Sequence, residues 1–213
     1  MRAFVIMIPK EESEQVATRC IKSAERYGVT VEPVRGYTPE DKPMKIAEDL
    51  GINPKGFHEK YSRFENCLSA FLSHHKLWLW SVENKEEILI LEHDAYFNNN
   101  LPNNISHRGI LSLGAPSYGK YNIPSVLGVN KLCSKEYLPG AHAYIVTPTA
   151  AAKLVAKAKT DALPTDIFIS NRNFDFVDEY YPWPIEAKDS FSTIQNETGC
   201  IAKHNYGPGY NLV

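Results

Sequence analysis

At 213 residues, 43% of them hydrophobic and 23% charged, the chain can bury a sizeable core as one domain, or as one domain with a small appended lobe. A formal net charge of -2 and the lack of a long basic run argue against a nucleic-acid backbone as the main partner. No apolar stretch approaches the roughly 20 residues that span a bilayer, and Met1 to Pro9 is too short and too soon broken for a signal peptide, so the chain is expected in the cytoplasm.

In chain order, a β-like Ala3 to Ile8 leads to a helical pattern over Glu11 to Tyr27, closed by Gly28 as a left-handed cap, and then to a short strand over Val29 to Pro33. This β-α-β opening predicts an α/β fold with a mostly parallel sheet, whose ligands sit beyond the carboxyl ends of the strands. Those ends are Pro9-Lys10 and Arg35-Gly36-Tyr37. From Pro39 to Tyr61 the chain is polar and punctuated, with a brief helix over Met44 to Leu50 stopped by Gly51, and reads as a surface excursion. Next comes a long helix on which Cys67, Ala70, Phe71, His74 and Trp78 form one stripe and Leu68, Leu72, Leu79 and Val82 another, so it is largely buried. Strand Ile88 to Leu91 packs against it.

Beyond Tyr96 the chain is turn-rich, and Gly109 to Ala115 reads as a strand. Pro116 to Pro139 has little period and reads as a loop over an acceptor. Strand Ala141 to Val146 leads to Thr147 as N-cap, Pro148 as first helical residue and a helix through about Ala158. No repeat or linker appears. One domain is expected, with a nucleotide-binding half over about 1–96 and an acceptor-binding half over about 97–213. Cys20, Cys67, Cys133 and Cys200 are widely spaced, as reduced thiols are.

The most informative run is Glu87-Glu-Ile-Leu-Ile-Leu-Glu-His-Asp-Ala-Tyr96, an apolar strand ending in Glu92-His93-Asp94. Two carboxylates one residue apart at a strand end can hold a divalent metal and, through it, a diphosphate; the alternative is that they only solubilise the strand end. Upstream lies Ser73-His-His-Lys-Leu-Trp78 and downstream Gly140-Ala-His-Ala-Tyr-Ile-Val-Thr-Pro148. Adjacent helical residues point about 100° apart, so His74 and His75 cannot share one ion. His74 is then either a core histidine or a support for the site.

In this order the motifs resemble glycosyltransferase family 25, which contains lipooligosaccharide sugar transferases and procollagen galactosyltransferases. Ala3-Phe-Val-Ile-Met-Ile-Pro9 is similar to the family's first strand, Val34-Arg-Gly36 stands in the place of its A-V-D-G, and Leu163-Pro-Thr-Asp166 is similar to its L-P-x-D. Two positions depart: Ser69-Ala70 replaces the usual Gly-Cys, and Glu92-His93-Asp94 replaces the usual E-D-D.

The resemblance implies a glycosyltransferase-A-like, Rossmann-related sheet flanked by helices. It implies an inverting transfer of galactose or glucose from a UDP-sugar to a glycan hydroxyl. Mn²⁺ or Mg²⁺ would be held by Glu92, Asp94 and, near the C-terminus, His204, with a tail at Gly207-Pro-Gly-Tyr-Asn211 closing over the nucleotide. The donor pocket would draw on Pro9, Arg35, Gly36, Tyr37 and Lys76, with His74, Glu92 and His93 beside it; Arg35 and Lys76 can equally be solvated surface charges. A general base must take the acceptor's proton: Asp166 first, whose other reading is a helix cap, then Asp178, Glu179 and Asp189. The partners implied are a nucleotide sugar and a glycan acceptor, lipopolysaccharide being the bacterial habit of the family, with peripheral membrane association left open. Two rivals stand beside this reading: a catalytically silent sugar-binding relative and a metal-dependent nucleotidyltransferase.

Overall fold

The computed structural model describes residues 1–57, 63–103 and 105–188. In chain order the elements are β1 (Arg2–Met7), α1 (Glu11–Glu25), β2 (Val31–Arg35), α2 (Pro43–Asp49), α3 (Phe64–Asn84), β3 (Ile88–Glu92), β4 (Ala95–Phe97), β5 (Ile110–Ser112), β6 (Gly128–Lys131), β7 (Ala143–Val146), α4 (Pro148–Asp161), α5 (Thr165–Phe168), β8 (Val177–Tyr181) and β9 (Ile185–Ala187). Seven strands form a mixed sheet in the order β2-β1-β3-β7-β5-β8-β6, and β4 pairs with β9 in a small ribbon. Five of the seven run in one direction; β7 and β6 are reversed.

The continuous apolar run of β3 suits an interior strand, and it lies between β1 and β7. Ile88 and Ile90 face α3 and α4, packing with Leu68, Phe71, Trp78 and Leu154. Leu89 and Leu91 face the opposite layer, with Ala17, Cys20 and Ala24 of α1 and Phe97 and Ile185 of the ribbon. All four β3 side chains are fully buried, and each such Ile or Leu contributes roughly 1.5–3 kcal/mol. Helix α4 starts as its sequence predicts: Pro148 is its first residue, and the Thr147 side chain accepts the Ala150 N–H at 3.3 Å.

Three expectations change. Strand β2 lies two residues later than predicted and contains Pro33, because at the sheet's outer edge a missing N–H breaks no second ladder. The excursion after Pro39 is not all surface: Ala47, Ile52 and Phe57 are buried, and Phe57 meets Phe71 edge-on at 5.3 Å. The supposed loop from Pro116 to Pro139 contains β6, an antiparallel edge strand on β8. Among the described residues no helix is long and apolar enough to cross a membrane.

Candidate functional site

Parallel strands β2, β1 and β3 lie side by side, so their C-terminal ends deliver Arg35, Met7 and Glu92 to one edge of the sheet. Helix α3 lines that edge from one face. Its Ser73 hydroxyl accepts the Tyr37 N–H at 2.8 Å and donates to the Ser69 carbonyl at 2.7 Å, which fixes the chain as it leaves β2. Gly36 is needed there: a Cβ would stand 2.9 Å from Ile6 Cγ2 and 3.2 Å from Ser73 Oγ. The close approach it permits is to α3.

At the next position of α3, His74 meets the carboxylate at the end of β3. Its Nε2 lies 3.1 Å from Glu92 Oε1 and its Nδ1 lies 2.9 Å from the Tyr144 hydroxyl, which accepts the Trp78 indole N–H at 2.9 Å. An indole only donates and a carboxylate only accepts, so Trp78 donates to Tyr144 and the His74 Nε2–H donates to Glu92. The buried chain Trp78-Tyr144-His74 thus holds the imidazole and aims one donor at the carboxylate. Burial pushes the Glu92 carboxyl up, but the His74 hydrogen bond and the imidazoles of His74, His142 and His93 outweigh it and hold it below the usual range.

His93 and Asp94 follow in the turn after β3. His93 Nδ1 lies 2.8 Å from the Ser13 hydroxyl of α1. Asp94 acts electrostatically on Cys20 of the same helix, whose thiol is pushed up to about 12 by burial first and then by that charge. Its carbonyl accepts the Lys188 N–H at 2.8 Å. Among the described residues no three His, Cys, Asp or Glu side chains gather closely enough to hold a metal. Two carboxylate donors nevertheless suit Mg²⁺ or Mn²⁺, which take one or two carboxylates and complete their sphere with substrate phosphates and water. His204, the other predicted ligand, lies outside the described residues, as do the tail at 207–211 and Asp189.

The remaining predicted residues divide. Asp166 sits in α5, where the Tyr118 hydroxyl donates to its Oδ2 at 2.5 Å and the Ile167 N–H to its Oδ1 at 3.0 Å. Burial raises its pKa, Tyr118 and Ile167 pull it down, and the charge of Glu92 pushes it up again. Asp166 and Glu92 therefore belong to one electrostatic neighbourhood. Glu179 is placed otherwise: fully buried in β8, it accepts the N–H groups of Cys133 and Ser134 at 2.6 and 2.7 Å and the Trp183 indole N–H at 3.3 Å. A carboxylate so occupied holds the β6 segment and is withdrawn as a base. Asp178 is likewise committed, paired with Arg108 at 2.6 Å.

Pro9 is exposed at the end of β1. The Arg35 guanidinium pairs with Asp41 at 2.8 Å, and Lys76 donates to the Arg35 carbonyl at 3.5 Å while standing 5.6 Å from the centre of the Tyr37 ring.

Sequence reasoning gave no role to Tyr144, Tyr118 or His142. His142 precedes β7 and its carbonyl accepts the Glu92 N–H at 3.0 Å. Its ring lies between two glycines: a Cβ at Gly114 would stand 2.3 Å from Nε2, and one at Gly140 2.5 Å from Nδ1. The Gly140-x-His142-x-Tyr144 spacing was the available signal, since the glycine makes room for the imidazole and alternation sends the phenol into the core.

Burial pushes both His142 and His75 down to about 4. In the unfolded chain these histidines titrate near 6.5, so the unfolded state binds more protons between about pH 6.5 and 4. Stability is full above that window and lost as pH falls through it, by about 2 kcal/mol per histidine at pH 5. Urea unfolding at pH 7.5 and pH 5 measures the loss, and His75→Gln should remove about half of it.

No known family profile and no curated protein sequence matches the chain. Its likenesses are to solved structures. One is a glycosyltransferase involved in glycosylation of the major capsid of the virus PBCV-1, with 8% identity, a TM-score of 0.46, and 90% of this chain and 95% of that chain covered. Another is a mutant of Drosophila β1,4-galactosyltransferase 7 in complex with manganese, UDP-Gal and xylobiose, with 11% identity, a TM-score of 0.37, and 72% and 52% covered. A third is the CTP:phosphocholine cytidylyltransferase of Streptococcus pneumoniae, with 13% identity, a TM-score of 0.40, and 86% and 91% covered. At these identities and TM-scores the chemistry rests on the chain's own residues.

Proposed function

We propose that the chain transfers a hexose, galactose or glucose, from a uridine diphosphate sugar to a hydroxyl of a glycan, with inversion, as the resemblance to glycosyltransferase family 25 implies. One observation carries the reading. Two carboxylates in one neighbourhood are tuned apart, Glu92 held ionised by imidazoles and Asp166 raised by burial and by the Glu92 charge. Carboxylates separated in this way are suited to different tasks.

Asp166 is the proposed base, taking the acceptor hydroxyl's proton as that oxygen attacks the anomeric carbon and the bond to the diphosphate breaks. The Tyr118 hydroxyl and Ile167 N–H hold the Asp166 carboxylate in orientation. Pro9, Gly36 and Tyr37 border the nucleotide, with Ser73 fixing the Tyr37 backbone. Glu92, Asp94 and, as the further donor proposed, His204 would hold a divalent cation, which would supply the positive charge that steadies the diphosphate leaving group. His74 orients Glu92 for that contact.

The test is UDP release by the purified chain from UDP-galactose and UDP-glucose with Mn²⁺, alone and with a panel of oligosaccharides. Release that needs the cation and stops on chelation is the expected result. Failure to bind or cleave either donor would sink the proposal and leave a silent sugar-binding protein. Pyrophosphate release from a nucleoside triphosphate with a sugar phosphate would assign nucleotidyl transfer instead.

A further inference from the structure

Of the seven large apolar side chains exposed among the described residues, five lie between Tyr121 and Val129. Leu127 is 75% exposed, Ile123 64% and Val126 60%. They are held outward by a built tip. The Asn122 N–H donates to the Ser134 carbonyl at 2.9 Å and closes the base, with Asn122 Nδ2 on the Cys133 carbonyl at 3.2 Å. Inside the tip, Asn130 Nδ2 donates to the carbonyls of Val126 and Gly128, both at 2.9 Å. Gly128, at φ +94, makes a turn that a side chain would strain. Tyr121 leans edge-on against Trp183 at 5.9 Å.

Within this segment the charge has one sign. Residues 119–135 contain Lys120, Lys131 and Lys135 and no Asp or Glu, in a chain whose net charge is -2. Lys135 turns inward, donating to the Tyr118 carbonyl at 2.7 Å, while Lys120 and Lys131 are exposed. Exposed aliphatic side chains, a tyrosine at their margin and two flanking ammonium groups match the layers of an anionic bilayer: acyl chains, headgroup region and surface charge. A second copy fits less well, since it would set the same lysines against each other.

We propose that the tip spanning Tyr121 to Lys131 docks the protein on an anionic membrane surface. Strand β8 runs parallel to β5, and both run with β3, so the end of β8 opposite Gly128 lies on the edge where β3 delivers Glu92. Docking therefore turns the candidate site toward the membrane. Resting on the glycosyltransferase reading, the acceptor is a glycan carried on a lipid.

Flotation with vesicles tests the docking without any nucleotide sugar. Vesicles of phosphatidylcholine alone are compared with vesicles holding about three parts in ten of phosphatidylglycerol. The wild-type chain is expected to float with the anionic vesicles, and Ile123→Ser/Leu127→Ser to bind them roughly tenfold more weakly. Lys120→Glu/Lys131→Glu should weaken anionic binding by about fivefold or more per lysine and leave binding to the neutral vesicles unchanged. Unchanged thermal unfolding shows that the variants fold. No flotation of the wild type, equal flotation of the serine variant, or a concentration-dependent dimer that the serine variant dissolves would each overturn the docking. Flotation with no UDP release in the donor assay keeps the docking and removes only the lipid-carried acceptor.

Discussion

Asp94→Ala is expected to lower hexose transfer by about 10²–10³-fold, the loss typical when one preorganised electrostatic group at a developing charge is removed. Thermal unfolding should change little, because the backbone contact of Asp94 with Lys188 survives the substitution. Glu92→Gln should lower transfer by a similar factor and is the sharper probe. The amide oxygen still accepts from His74 Nε2, so the Trp78-Tyr144-His74 chain persists while the charge disappears. A second consequence has a definite sign. The Glu92 charge helps to raise the Asp166 pKa, so its removal should move the acidic limb of the residual pH-rate profile to lower pH. Wild-type turnover in either variant would move the site elsewhere on the molecule. An unmoved acidic limb would remove Asp166 from the role of base.

The sequence revealed the core of this site better than its rim. Apolar run length made β3 an interior strand with Glu92 at its end, because a strand buried on both faces must be apolar throughout. The two stripes on α3 placed it in the core, and His74, whose role was left open, is buried there and hydrogen-bonded to Glu92. Direction was not legible. Nothing in Ala143 to Val146 marks β7 as antiparallel, since a strand buried on both faces reads alike in either sense. The fate of Glu179 was hidden for a different reason. In sequence it adjoins Asp178 and looks like an acidic loop, yet it is a buried strand residue satisfied by backbone N–H groups 45 and 46 positions away. Long-range hydrogen bonds of this kind leave no local pattern.

Trp78→Ala carries the largest expected loss of stability, about 3–5 kcal/mol, read from the urea midpoint at constant slope. The indole is fully buried, edge-on to Phe71 at 5.5 Å and stacked on Phe168 at 5.7 Å, so its loss opens a cavity in the aromatic core. Trp78→Phe keeps much of that volume and removes the N–H, and should cost about 1–3 kcal/mol. The difference between the two variants separates packing from hydrogen bonding. Function should suffer beyond stability, because Trp78 supports both proposed reacting groups: through Tyr144 and His74 it aims the donor at Glu92, and through Phe168 it seats α5, which carries Asp166. Without the indole N–H, the Tyr144 hydroxyl loses a partner that holds it against His74 Nδ1, while the Glu92 carboxylate still accepts from Nε2–H. Nitrogen-15 shifts of His74 in Trp78→Phe should therefore change at Nδ1 more than at Nε2. An unchanged Nδ1 would mean that Trp78 supports His74 through packing alone.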